Sequence, residues 1–336
     1  MIEDTFTLRN ARAYRETWPL AKPFVISRAR ADTTDVLVVE VDDGQCIGRG
    51  EACPIRRFGQ SMEKALAGAE GMLAALRGGA EWSKLHDLTS AGAARNAVDC
   101  ALWDLRAKRA GKPIWELLDL PEWQPVETVF TISVAAPEAM AAAARDAGHY
   151  PVLKIKLGGS DDDLRIRAIR DAVPDKRLIV DVNEGWSFAE LERCLPAMID
   201  ARVELIEQPL PAGRDDELAR LPRAARSVPI GADESCHTAD DTDRLADLYD
   251  VVNIKLDKTG GLTEALRMLD HARAAGLDVM VGCMLGTSLA MAPAMLLAQS
   301  SRFTDLDAPL LIGTDRAPAM VYKDGVVFPP SPQVWG

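Results

Sequence analysis

Five apolar runs each end on a charged residue: VLKIK at 152–156, LIVD at 178–181, VELIE at 203–207, VPIGAD at 228–233 and DVVNIK at 250–255. Their last residues, Lys156, Asp181, Glu207, Asp233 and Lys255, are spaced by roughly 25 positions, the length of one strand, one helix and two short loops. Strands apolar on both faces belong to a parallel sheet covered by helices. When such a sheet closes into a barrel, the C-terminal strand ends converge on one mouth. Three carboxylates flanked by lysines are therefore expected to line that mouth.

The alternation continues to both sides of these runs. It predicts strands near 128–134, 152–157, 178–182, 203–207, 229–233, 251–256, 278–283 and 304–307. The helices fall near 137–147, 161–172, 188–200, 214–225, 240–248, 262–275 and 287–299. The fold class is thus α/β, a modified TIM barrel of the (β/α)7β type. Residues 4–50 read differently, as antiparallel strands with Asp43-Gly44 as a hairpin turn. Between them WPLAKPFVISRARAD at 18–32 reads as a proline-punctuated loop carrying Arg28 and Arg30. Ser61–Leu76 and Ala91–Ala110 have helical spacing. The expected division is an α+β capping domain over 1–120, the barrel over 121–310, and a segment over 311–336 that returns to the cap.

Composition narrows the function. A net charge of -12 offers no basic face for phosphates and argues against a nucleic-acid partner. Six dispersed cysteines without a CxxC or Cys/His cluster read as reduced thiols of a cytoplasmic protein, and MIED at the start has no basic region of a secretory signal. Val279–Ala298 is apolar, but Gly282, Gly286 and Pro293 mark it as a buried strand and helix, not a membrane span. Gly158-Gly159 and Gly260-Gly261 read as turns, since no phosphate-binding fingerprint adjoins them. The expected partner is a small molecule, with homo-oligomerisation left open.

Asp181, Glu207 and Asp233 end three consecutive strands and would repel one another without a cation between them. Oxygen donors with no His or Cys suit a hard ion, and Mg2+ fits because it takes a few carboxylates and leaves room for water and substrate. Lys154 and Lys156, two apart on one strand, face the same side, and Lys255 comes from the sixth strand, across the barrel from the second. Two ammonium groups facing each other should have lowered pKa values, so that one serves as a neutral base. A metal beside a substrate carboxylate stabilises the enediolate formed when the adjacent carbon loses its proton. Bases on opposite faces then invert that carbon.

At these residues the sequence resembles the enolase superfamily, in the subgroup of muconate cycloisomerase and the dipeptide epimerases. KIK at 154–156, DVNEGW at 181–186, IEQPL at 206–210, GADES at 231–235, NIKLDKTGG at 253–261 and AVDCALWDLRAKRAGKPIWELL at 97–118 match it in order and spacing. The resemblance implies that Asp181, Glu207 and Asp233 bind Mg2+, that Lys156 and Lys255 are the acid/base pair, that Lys154 tunes Lys156, and that Asn183 supports the metal ligands. DLDAP puts Asp305 and Asp307 on the eighth strand, an extra pair of anions that suits a substrate ammonium group. With CMLGTS at 283–288, which contributes Cys283, it is similar to epimerases of L-Ala-D/L-Glu dipeptides. Those carry an arginine in the first-domain loop for the Glu carboxylate, a part for which Arg28 and Arg30 are the candidates. Thr131 and Ser133 share a face of the first barrel strand and are further candidates for substrate contact.

Other readings use the same residues. A cycloisomerase or an o-succinylbenzoate synthase would share the lysines and acids but have no use for Asp305 and Asp307. An epimerase of another dipeptide would keep everything except the arginine. A Schiff-base aldolase would need one lysine and no carboxylate cluster. A non-catalytic binder would leave the paired lysines unexplained.

Overall fold

The computed structural model describes residues 7–26 and 29–336. Eight parallel strands stand in chain order: Phe130–Ile132, Val152–Lys156, Arg177–Asp181, Val203–Glu207, Ile230–Ala232, Val251–Ile254, Asp278–Val281 and Phe303–Thr304. The Val129 amide donates to the Thr304 carbonyl at 3.0 Å, which joins the last strand to the first. The (β/α)7β barrel read from the sequence is present. Val129, just before the first strand, and Val152, Ile179, Leu205, Val251, Met280 and Phe303, one from each other strand except the fifth, form a separate buried cluster. The fifth strand supplies Gly231, where a Cβ would lie 3.2 Å from a Leu205 methyl. Together these residues fill the floor of the barrel.

Helices Pro137–Asp146, Asp162–Ala172, Phe188–Asp200, Leu262–Ala274 and Ser288–Ala298 follow the pattern. Ser187 and Glu190 form a reciprocal capping box that starts the third of them. Two expected helices do not form as such. Residues 214–225 make 3-10 turns, Asp215–Arg220 and Arg223–Ala225, because Pro222 lacks an N–H and pushes Leu221 out of the helical region. Residues 240–248 yield a 3-10 turn and one α turn, Thr242–Leu245, between the Thr238/Asp241 capping box and Tyr249. Among the described residues no helix is long and apolar enough to cross a membrane.

The N-terminal sheet consists of β1 (Asn10–Ile26), β2 (Ala29–Asp42) and β3 (Ile47–Ala52), antiparallel throughout. Residues 18–26 and 29–32 therefore pair as a ribbon where a loop was expected. Its pairing jumps from Pro19↔Thr33 to Phe24↔Ala31, so the extra residues around Pro23 sit in a bulge where no ladder amide is needed. Helices Met62–Arg77 and Ala93–Ala110 back this sheet. The chain end packs on the second: Trp335 Nε1 donates to Cys100 O at 3.0 Å, and the Gly336 amide to Asp104 Oδ1 at 2.8 Å.

Several contacts hold the N-terminal unit over the barrel mouth. Asp257 accepts the Cys53 amide and Asn96 Nδ2 on one oxygen, at 2.9 and 3.0 Å. Arg57 grips Glu184 with two nitrogens, at 2.7 and 2.9 Å. Buried Glu51 accepts from the Thr287 amide, the Thr287 hydroxyl and Arg316. Fixed ends of this kind turn the ribbon and the 53–62 loop into walls of the site.

Candidate active site

The barrel interior changes character in one step of the strand period. Two residues beyond the apolar floor, the inward positions become Thr131, Lys154, Asp181, Glu207, Asp233, Asn253, Gly282 and Asp305. One step further stand Lys156, Lys255 and Asp307, which line a cavity of about 620 Å3 under the ribbon. Phe24, Ile26, Arg30 and Arg56 from the N-terminal unit form its other side. A floor of methyl groups therefore carries a buried polar layer, and that layer opens to substrate.

The acids and lysines are interleaved. Lys154, 1% exposed, stands 2.6 Å from Asp305, 2.7 Å from Glu207 and 3.1 Å from Asp181. Lys156 pairs with Asp181 at 2.5 Å. Asp233 lies between two ammonium groups, Lys255 at 2.8 Å and Lys258 at 2.6 Å. Asp181 and Glu207 are fully buried and are not among the cavity walls.

This pairing corrects the expectation of a lowered pKa at Lys255. Burial does press Lys255 toward the neutral form, but Asp233 and Glu207 outweigh it and raise its pKa. The same contest, won by Asp181, Asp305 and Glu207, raises Lys154 well above its usual value. On the acid side, burial is overcome by Lys154 and Lys156 at Asp181, and by Lys255 and Lys258 at Asp233, so both carboxyls fall below their usual range. Glu207 goes the other way, to about 7, through burial and the neighbouring Asp181. Asp307 also rises to about 7, through burial and Asp305.

The remaining expected residues divide. Thr131 and Cys283 line the cavity, and the Thr131 amide donates to Asp307 Oδ2 at 2.7 Å. Ser133 accepts instead from the Val25 amide of β1 at 3.2 Å and is not a cavity residue. Asn183 is buried, with φ of 48° that returns its amide to Asp181 Oδ1 at 3.0 Å. Arg30 lines the cavity and pairs with Asp32 at 3.2 Å; Arg28 lies outside the described residues. Lys154, one step deeper than Lys156 on the same strand, bridges three acids. The Gly158 and Gly159 amides both donate to Asp162, as a turn would have it.

Three participants were not read from the sequence. Asn253 donates to Glu207 Oε1 at 2.7 Å, Lys258 clamps Asp233, and Arg56 faces the cavity. Asn253 carried a signal, being two residues before Lys255 on the same strand. Gly282 makes room for both: a Cβ there would stand 2.6 Å from Asn253 Oδ1 and 2.9 Å from Lys255 Cε. Gly282→Ala is expected to displace the Lys255 amine and lower kcat by roughly 10–100-fold while the chain stays folded. A kcat within twofold of the parent would contradict that crowding.

For a metal, the donors are hard carboxylate oxygens. Glu207 Oε2 is a buried oxygen without a hydrogen bond; Lys154 Nζ is close, but not in bonding geometry. Asp181, Glu207 and Asp233 do not draw together as tightly as Cys283, Asp305 and Asp307, whose donor atoms all lie within 4.8 Å of one another. Ammonium groups stand where positive charge is called for. Carboxylate oxygens of this kind fit a hard divalent cation.

Comparison with known proteins meets this geometry. Residues 8–119 match the mandelate racemase/muconate lactonizing enzyme N-terminal domain, and residues 136–331 the enolase C-terminal domain-like family. The chain belongs to the enolase superfamily. Within that superfamily it is 41% identical to the L-Ala-D/L-Glu epimerase of Escherichia coli K12, over 95% of this chain and 99% of that one. It is also 41% identical to an N-acetyl-D-glutamate racemase from Pseudoalteromonas, over 90% and 95% of the two chains. An enolase family member from Agrobacterium tumefaciens with homology to dipeptide epimerases, solved with sodium and L-Ala-L-Glu, superposes with a TM-score of 0.93. The two are 47% identical, with 97% of this chain and 99% of that one covered. Such enolase-superfamily relatives are epimerases and racemases, that is, isomerases.

Proposed function

We propose that this chain inverts the α-carbon of the C-terminal residue of a dipeptide, with L-Ala-D/L-Glu as its substrate, by taking the α-proton onto one of Lys156 and Lys255 and delivering another proton from the other. The observation that carries this reading is topological. Second and sixth strands of an eight-strand ring face each other, so an α-carbon held over Asp181, Glu207 and Asp233 lies between the two amines. With a cation held by Asp181, Glu207 and Asp233, their hold on the ammonium groups would weaken, so that one lysine, as the free amine, removes the proton from its face. The bonding pair moves into the substrate carboxylate, and the other lysine, as ammonium, returns a proton from the opposite face. A Mg2+ ion held by Asp181, Glu207 and Asp233 would supply the positive charge that stabilises the electron-rich carboxylate. Residues 1–120 with 311–336 serve in this reading as the cap that excludes water over the barrel, 121–310.

Specificity follows from the cavity walls. Asp307 and Asp305, with Cys283 beside them, form the anionic end for a substrate ammonium group, and Thr131 fixes Asp307. Arg30 and Arg56 supply cations for a Glu side chain. A second reading, racemisation of N-acylated glutamate, draws on one observation: Asp305 is already matched by Lys154, which leaves a single acid for the ammonium group.

The test is α-proton exchange in deuterated water with L-Ala-L-Glu and with N-acetyl-L-glutamate. Faster exchange and epimerisation of the dipeptide is expected. Asp307→Asn should then lower kcat/KM for dipeptides with a free N-terminus by about 10–100-fold, since a hydrogen bond to a charged group is lost. N-acetylated substrates should change far less. Equal losses would contradict the ammonium role, and faster turnover of N-acetylglutamate would favour the second reading.

A further inference from the structure

Each of the three acids has one oxygen engaged by a donor that is not one of the lysines from the second or sixth strand. Asp181 Oδ1 accepts the Asn183 amide at 3.0 Å, Glu207 Oε1 accepts Asn253 Nδ2 at 2.7 Å, and Asp233 Oδ1 accepts Lys258 Nζ at 2.6 Å. The second oxygen of each meets a different lysine: Asp181 Oδ2 with Lys156 at 2.5 Å, Glu207 Oε2 with Lys154 at 2.7 Å, and Asp233 Oδ2 with Lys255 at 2.8 Å. One oxygen per acid is thus already committed to a donor, three times over.

Lys258 is the most committed of these donors. It is 3% exposed, and besides Asp233 Oδ1 it donates to Asp233 O at 2.5 Å and Asn253 O at 2.9 Å. All three of its protons have acceptors on two residues, so none is available to a substrate. Holding both the main-chain and side-chain oxygens of Asp233 fixes that carboxylate against rotation.

We propose that the Asn183 amide, the Asn253 side chain and Lys258 are blocking donors that confine each acid to one ligand oxygen and thereby select Mg2+ over Ca2+. The inference rests on the reading that Asp181, Glu207 and Asp233 hold a divalent ion. Mg2+ demands six ligands near octahedral geometry and is served by single oxygens. Ca2+ takes six to eight and gains from carboxylates that bind through both. Removing a blocking donor frees a second oxygen and benefits the larger ion. Lys258 and Asn253 are accordingly positioning residues, acting through Asp233 and Glu207.

Metal-stripped full-length protein titrated calorimetrically with Mg2+ and, separately, Ca2+ tests this. The parent should prefer Mg2+, and Lys258→Met and Asn253→Leu should each shift the affinity ratio toward Ca2+ by about tenfold or more. An unchanged ratio in folded variants overturns the proposal alone; a parent that binds neither ion overturns it together with the metal reading. Asn253→Leu removes a neutral donor and carries the test if Lys258→Met does not fold. Difference infrared spectra of the parent on Mg2+ addition need no variant. Carboxylate bands of one-oxygen coordination are expected, and bands of two-oxygen coordination overturn the proposal.

Discussion

Lys255→Ala and Lys156→Ala should each lower the rate of dipeptide epimerisation by on the order of 10^3 to 10^4, because inversion needs a proton donor and a proton acceptor at once. The losses should not be identical in kind. With Lys156 removed, Lys255 still reaches one face of the α-carbon, and exchange with deuterated water continues from the isomer that presents its proton there. With Lys255 removed, the other isomer exchanges. Asp181, Glu207 and Asp233 remain in both variants, so calorimetric Mg2+ binding should persist. Full epimerase activity in either variant, or exchange of both isomers in one of them, would contradict the two-base assignment.

Asp233→Asn should have the second largest effect, on stability as well as activity. Its carboxylate is the shared partner of two buried ammonium groups, Lys255 at 2.8 Å and Lys258 at 2.6 Å. Removing one member of a buried ion cluster leaves the others uncompensated and costs about 3–5 kcal/mol. A depressed carboxyl pKa contributes its stability in full above the unfolded value of 3.8, and that contribution is lost as the pH falls below it. Parent and variant should therefore differ most in thermal stability at neutral pH and converge in acid. Mg2+ binding should be lost at the same time. An unchanged melting temperature at neutral pH, or Mg2+ affinity equal to the parent, would contradict the double role of Asp233.

The barrel and the acid arc were legible because they depend on local rules. A strand buried on both faces is written in its own residues, and the period of two carries Leu205 to Glu207 and Val251 to Asn253 and Lys255 without any knowledge of the partner strands. Lys258 escaped because it sits off the strand, on the one-turn helix Leu256–Thr259, where that period no longer applies. The ribbon of β1 and β2 was misread because Pro19 and Pro23 speak locally for a loop, while the long ladder from Asn10 to Ile26 supplies the pairing that overrides them. The charge state of Lys255 was misjudged for the opposite reason. Sequence spacing put another lysine across from it but could not say that Asp233 of the neighbouring strand would lie nearer. Contacts such as Arg57 with Glu184, 127 residues apart, have no local signature at all.

Proton bookkeeping in the unaltered protein bears most directly on the two opposed amines. L-Ala-L-Glu incubated in deuterated water and followed by proton NMR from the first percent of turnover should give an epimer that carries deuterium at its α-carbon, because the incoming hydron belongs to the opposite lysine and comes from solvent. A first-formed epimer that retains the substrate's own proton at that carbon would mean a single base working from one side, and would contradict the account.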